Sequence, residues 1–201
     1  MNVPKSSLDY SHFPVMLKEV IKICSPNEGG HFIDCTFGGG SYSKELLKFP
    51  KTKVIALDRD EIALKKAQSI KNLYKDRFVF FNEKFSNLEN ILIKFENKPD
   101  TIIFDLGVSS LQLKDMSRGF SFKSKAKLDM SMGLSTLSAE EVINNYDERD
   151  LKLIIKIFGD EKEASKIARN IIKARKIKKI STVTELVKII EKSKKKNYNK
   201  K

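Results

Sequence analysis

Three acids and a run of glycines are spaced as a nucleotide-like ligand would need them. In the stretch HFIDCTFGGGSYS, a short apolar run ends at Asp34 and passes through Gly38, Gly39 and Gly40 towards a helix start. A strand followed by backbone stripped of side chains lets a ligand lie against main-chain N–H groups near the positive end of a helix. About twenty residues after the glycines, Asp58 in ALDRD closes a second apolar run, placed to accept hydrogen bonds from two ribose hydroxyls. Asp105 in IIFDLGVSSLQL closes another such run, and Gly107 after it opens a second loop. Each feature also has a plainer reading. Ser43 stands where the third glycine of Gly-x-Gly-x-x-Gly would be, so the glycines also suit a tight strand-to-helix turn with no ligand. Asp58 or Asp60 also suits the cap of the next helix, and both roles hold if Asp60 caps and Asp58 binds. Phe85, in NEKFSNL, suits the face of a purine or a staple on the helix that follows it.

The elements that must carry these residues alternate. Apolar runs predict strands over 31–35, 53–57, 77–81 and 101–104, and helical spacing predicts helices over 14–24, 43–49, 61–72 and 88–95. Pro14 begins the first helix, where its missing N–H costs nothing. Such alternation predicts an α/β fold, half of a doubly wound parallel sheet that binds ligands at its carboxyl edge. Asp34, Asp58 and Asp105 then end three parallel strands. His12, beside Phe13 and Pro14, has no carboxylate, cysteine or serine partner near in sequence and reads as a loop residue. Cys24 and Cys35 lack Cys-x-x-Cys spacing and read as small buried residues, and no metal centre is expected.

At 201 residues and 40% apolar content, the chain has room for one cored domain, or one plus a small companion. Thirty-nine Lys and Arg against 26 Asp and Glu give a net charge of +13, which points to a polyanionic partner. A Lys-, Ile- and Asn-rich composition can also reflect genome bias. Lysines close the chain in EKSKKKNYNKK, and Lys123, Lys125 and Lys127 interleave with aromatics. With no apolar leader, no bilayer-length run and no internal repeat, a soluble, cytoplasmic protein without membrane contact is expected.

Residues 107–137 have little periodicity, too long a stretch for an ordinary connection. Within it Arg118, Phe120, Phe122 and Lys123 combine cation and stacking surface, which suits a single-stranded or flipped-out base; the two phenylalanines equally suit anchoring the loop to the core. Helices are then predicted over 139–145, 148–158, 161–174 and 183–192. Ser138-x-x-Glu141 and Thr182-x-x-Glu185 read as capping boxes, Asp147 and Asp160 as N-caps. Ile167, Ala168, Ile171 and Ile172 form an apolar face with Lys166, Arg169, Lys173, Arg175, Lys176, Lys178 and Lys179 around it.

HFPVMLKEV, FIDCTFGGGSYS, IALDRDEIAL, EKFSNL, FDLGVSSLQL, RGFSF and LDM occur in an order and spacing that resembles the bacterial methyltransferases acting on N4 of a cytidine in small-subunit ribosomal RNA, from about residue 12 to about 190. The resemblance implies a Rossmann-like class I fold with S-adenosylmethionine as cofactor and an inserted helical domain. It places Gly40, Ser41 and Tyr42 in the first cofactor loop, Asp58 on the ribose, Phe85 beside the adenine, and Asp105 and Gln112 near the methionine end. By analogy with other amino-group methyltransferases, Asp105 or a carbonyl of residues 106–109 accepts a hydrogen bond from the reacting amine. Ser41 and Tyr42 stand where the family usually carries Gly and His, and Leu111 where a proline is common.

The resemblance further implies ribosomal RNA or the small subunit as partner, met by the basic helices and by Arg118, Phe120, Phe122 and Lys123. It divides the chain into a cofactor-binding half over 1–110, an active-site and RNA loop over 111–137, and a helical insert with a basic tail over 138–201. In the family the sheet resumes after the insert, so the chain is expected to be an N-terminal portion, with an open sheet edge and weak stability in isolation. Two rivals predict different behaviour. A non-catalytic RNA- or cofactor-binding fragment needs only the basic helices or the glycine loop, and a dehydrogenase would want the missing third glycine.

Overall fold

In the computed structural model, which describes residues 16–194, the four apolar runs of the first part become strands β1 (Gly30–Asp34), β2 (Thr52–Leu57), β3 (Phe78–Phe81) and β4 (Thr101–Ile103). All pair in parallel in the order β3-β2-β1-β4. Successive side chains point to opposite faces, so the sheet is apolar on both sides. Phe32, Val54, Ala56, Phe78 and Ile103 pack against α1 (Leu17–Cys24), α2 (Ser41–Leu47) and α3 (Leu64–Tyr74), while Ile33, Leu57 and Phe81 meet α4 (Leu88–Leu92). Full burial of a Val, Leu, Ile or Phe side chain among these contributes about 1.5–3 kcal/mol.

The chain divides into two compact units, Met1–Ser110 and Leu111–Lys201, with α5 (Ser110–Lys114) leading from one into the other. The second unit is helical: α6 (Ala139–Asn145), α7 (Glu148–Ile157), α8 (Ala164–Ile177) and α9 (Val183–Ser193). Its core joins Leu128, Ile143, Leu151, Ile167, Ala168, Ile171, Ile180 and Val183. Leu128 belongs to the aperiodic stretch, which is tied to the helices by Leu128 N–H donating to the Ser181 carbonyl and Val183 N–H to that of Ala126.

Both capping boxes form, and the Asp147 carboxylate accepts from Asp150 N–H at 2.8 Å. Asp160 does not cap. Its backbone is left-handed (φ 44°), the chain turns once more, and α8 starts at Ala164 after Glu163. Helix α4 stops at Leu92, three residues short of the predicted end, and residues 61–63 form a 3₁₀ turn ahead of α3. His12, Pro14 and the last seven residues of the basic tail lie outside the described residues. Among the described residues no helix is long and apolar enough to cross a membrane.

Candidate functional site

The carboxyl ends of the four strands are stitched into one rim by hydrogen bonds. After β1, Phe37 N–H donates to the Leu57 carbonyl at 2.9 Å, and Gly38 N–H donates to Asp58 Oδ2 at 2.7 Å, joining the glycine loop to the end of β2. The Asp58 carbonyl accepts from Asn82 Nδ2 at 2.8 Å and Glu83 N–H at 3.0 Å, joining β2 to the loop after β3. Asp105 N–H donates to Thr36 Oγ1 at 2.7 Å, joining the end of β4 to the loop after β1.

Asp34, the last residue of β1, is fully buried. Its Oδ2 accepts from Ser43 Oγ at 2.7 Å and its Oδ1 from Thr36 N–H at 3.4 Å. Burial pushes its carboxyl up to about 6, with the nearby Asp58 charge adding to the rise. Ser43, in the third-glycine position, is therefore the hydroxyl that keeps a buried acid partnered. Asp58 is half-buried. Each oxygen takes one backbone donor, Gly38 N–H on Oδ2 and Asp60 N–H on Oδ1 at 2.9 Å, which leaves a lone pair on each. Burial raises its pKa against those two hydrogen bonds. Asp60 itself caps the following turn through Ile62 N–H at 3.2 Å.

Gly40 is the N-cap of α2 with φ 78°, and a Cβ there would stand 2.6 Å from the Phe37 ring, so this position is required by packing as well as by backbone conformation. At Gly39 an added Cβ would meet nothing within 4 Å among the described residues. Open space at that loop leaves room for a ligand against the main chain. Ser41 is half-buried at the start of α2, and Tyr42 is buried with its side chain near the Asp105 and Asp34 carboxylates. Burial and the Asp105 and Asp34 charges raise the tyrosine pKa. Asp105 is exposed, and Phe85 stands 44% exposed above β3 with its ring edge-on to Phe104, 5.5 Å between centroids.

Gly40, Ser41, Tyr42, Asp58, Phe85 and Asp105 thus share the rim of the first unit, together with the buried Ser43 and with Thr36 and Phe104, which the spacing did not single out. Ser43 carried a signal in its hydroxyl at a glycine position; Phe104 carried none, because it reads as the last apolar residue of a strand. A cavity of about 360 Å³ in the same unit is lined by His31, Lys53, Asp76 and Arg77. These residues mark the amino ends of the strands, opposite the acids.

The other predicted residues belong to the second unit. Gln112 on α5 is buried. Arg118 donates from Nη2 to the Ser131 carbonyl at 2.8 Å and lies 5.2 Å over the half-buried Phe120 ring, so both help hold the loop. Phe122 is 74% exposed, beside the exposed Lys123. Around α8 much of the basic charge is engaged within the unit: Arg175 donates to the Ile143 carbonyl, Lys178 pairs with Glu185 and Lys179 with Glu140 at 2.8 and 2.7 Å. These lysines hold both glutamates below the usual carboxylate range.

The MraW methylase family matches residues 9–201. A "Ribosomal RNA small subunit methyltransferase H" of Rickettsia bellii is 46% identical over 180 residues, 89% of this chain and 58% of that protein. Proteins of the same name from Zymomonas mobilis and a Wolbachia species are 42% and 43% identical, covering 90% of this chain in both cases and 54% and 62% of their own lengths. The chain thus spans somewhat over half the length of these curated relatives.

Proposed function

Because the chain belongs to the MraW methylase family, we propose that it is the cofactor-binding part of an S-adenosylmethionine-dependent methyltransferase acting on N4 of a cytidine in small-subunit ribosomal RNA. The family and the parallel sheet imply S-adenosylmethionine as cofactor. The observation that carries the reading is the rim, where an acid with a free lone pair on each oxygen, an open glycine loop and an exposed aromatic ring meet at the carboxyl edge. These residues fit the cofactor chemically. Asp58 can accept the two ribose hydroxyls, the open face at Gly39 admits the chain against the backbone, and Phe85 offers a ring to the adenine.

When bound, the cofactor supplies an activated methyl group on a sulfonium. The protein's own task is alignment and charge. A cytosine N4 amine is a poor nucleophile, since its lone pair is delocalised into the ring, and an acceptor at its N–H stabilises the charge that develops on attack. Asp105 is that acceptor in this proposal, with its main chain held by Thr36. The exposed Phe122 and Lys123 offer a stacking surface and a cation to RNA.

The test is to titrate the protein with S-adenosylhomocysteine and with a nicotinamide dinucleotide while following thermal unfolding, and to assay transfer of labelled methyl to small ribosomal subunits. Protection by the first ligand alone, with label on cytidine N4, supports the reading. Salt-dependent RNA binding with no cofactor protection favours the non-catalytic fragment instead.

A further inference from the structure

Phe104 was expected inside the fourth strand, yet β4 ends at Ile103 and releases it. Phe104 is 48% exposed, a large apolar residue outside the buried core clusters. The ring meets Phe85 edge-on, with 5.5 Å between centroids and 87° between planes. Two half-exposed aromatic rings, one from the loop after β3 and one from the end of β4, meet edge to face, and the ring faces beside that contact bound a right-angled corner. Such a corner suits a flat heteroaromatic, which stacks on one ring face and turns its own edge towards the other. The corner also stands beside the residues assigned to the sugar. Glu83, two residues before Phe85, donates its N–H to the Asp58 carbonyl, and Phe104 is followed by Asp105, tied to the glycine loop through Thr36.

We infer that Phe104 is the second wall of an adenine recess, completing the one begun by Phe85 and setting the affinity for the base end of the ligand. This rests on the cofactor reading above and deepens it. Neighbouring Ile102, 41% exposed on the same strand end, lies outside the ring pair and serves as the control.

The experiment measures binding of S-adenosylhomocysteine and of adenosine to the full chain by calorimetry, with far-UV circular dichroism to check the fold. Phe104→Ala should weaken both ligands by the same factor, about five- to tenfold, because the lost contact is to the base they share. Phe104→Tyr should stay within about twofold of the parent, and Ile102→Ala should leave binding unchanged. If Phe104→Ala does not fold, Phe104→Leu removes the ring at similar volume and should still lose binding severalfold. Unchanged affinity in the alanine or leucine variant overturns the inference, as does a loss confined to S-adenosylhomocysteine. If the parent chain binds neither ligand, the cofactor reading itself fails, an outcome distinct from insensitivity to the Phe104 substitutions.

Discussion

Replacing Asp34 by Asn should make the first unit more stable at neutral pH than at acid pH, relative to the parent protein. Asp34 is fully buried at the end of β1, and burial raises its carboxyl from 3.8 to about 6. Between those values the folded chain holds a proton that the unfolded chain has released. Stability from this group is therefore complete below about pH 4 and is lost as pH rises through about 6. A rise of about two pH units corresponds to about 3 kcal/mol, at about 1.4 kcal/mol for each unit. Asparagine has the same shape and no proton to lose. Its amide can face Ser43 Oγ while its oxygen keeps the Thr36 N–H. The stability of Asp34→Asn minus that of the parent should therefore rise by about 2–3 kcal/mol between about pH 4 and about pH 7.5. Urea unfolding of both proteins across that range measures it. Glu140, Glu141, Glu161 and Glu185, whose pKa values are lowered, oppose the trend in each protein and cancel in the difference. A difference independent of pH, or one that falls towards neutrality, would refute the account of Asp34 as a buried acid held by Ser43.

Gly40→Ala should destabilise the first unit by about 3 kcal/mol, from left-handed strain and from the clash with Phe37, whose ring is wedged against Phe78 and Phe80; an unchanged urea midpoint would contradict this. Asp105→Asn should keep S-adenosylhomocysteine affinity within about threefold while methyl transfer falls about a hundredfold or more, and full turnover at unchanged cofactor affinity would remove Asp105 from the chemistry. Phe122→Ala should leave the melting temperature unchanged, since the ring is mostly exposed, yet weaken a single-stranded RNA oligonucleotide by at least about fivefold in fluorescence anisotropy; equal binding would assign the ring no RNA contact.

The four strands, the acids at their ends and both capping boxes were legible in the chain because each is written among near neighbours. Apolar runs mark buried parallel strands, and Ser138 with Glu141 or Thr182 with Glu185 satisfy each other three residues apart. The capping role of Asp60 was legible for the same reason. Tertiary structure decided what depends on distant partners. It buried Asp34 against Ser43 and turned the missing glycine into a hydroxyl that the buried acid needs. It released Phe104 from the strand to meet Phe85, nineteen residues away in sequence. It also engaged Arg118 and Arg175 with the Ser131 and Ile143 carbonyls and paired Lys178 and Lys179 with Glu185 and Glu140 at the surface of the helical unit, contacts that no local spacing announces. Charge and periodicity are properties of a segment, whereas the availability of a side chain is settled by whichever surfaces folding brings against it.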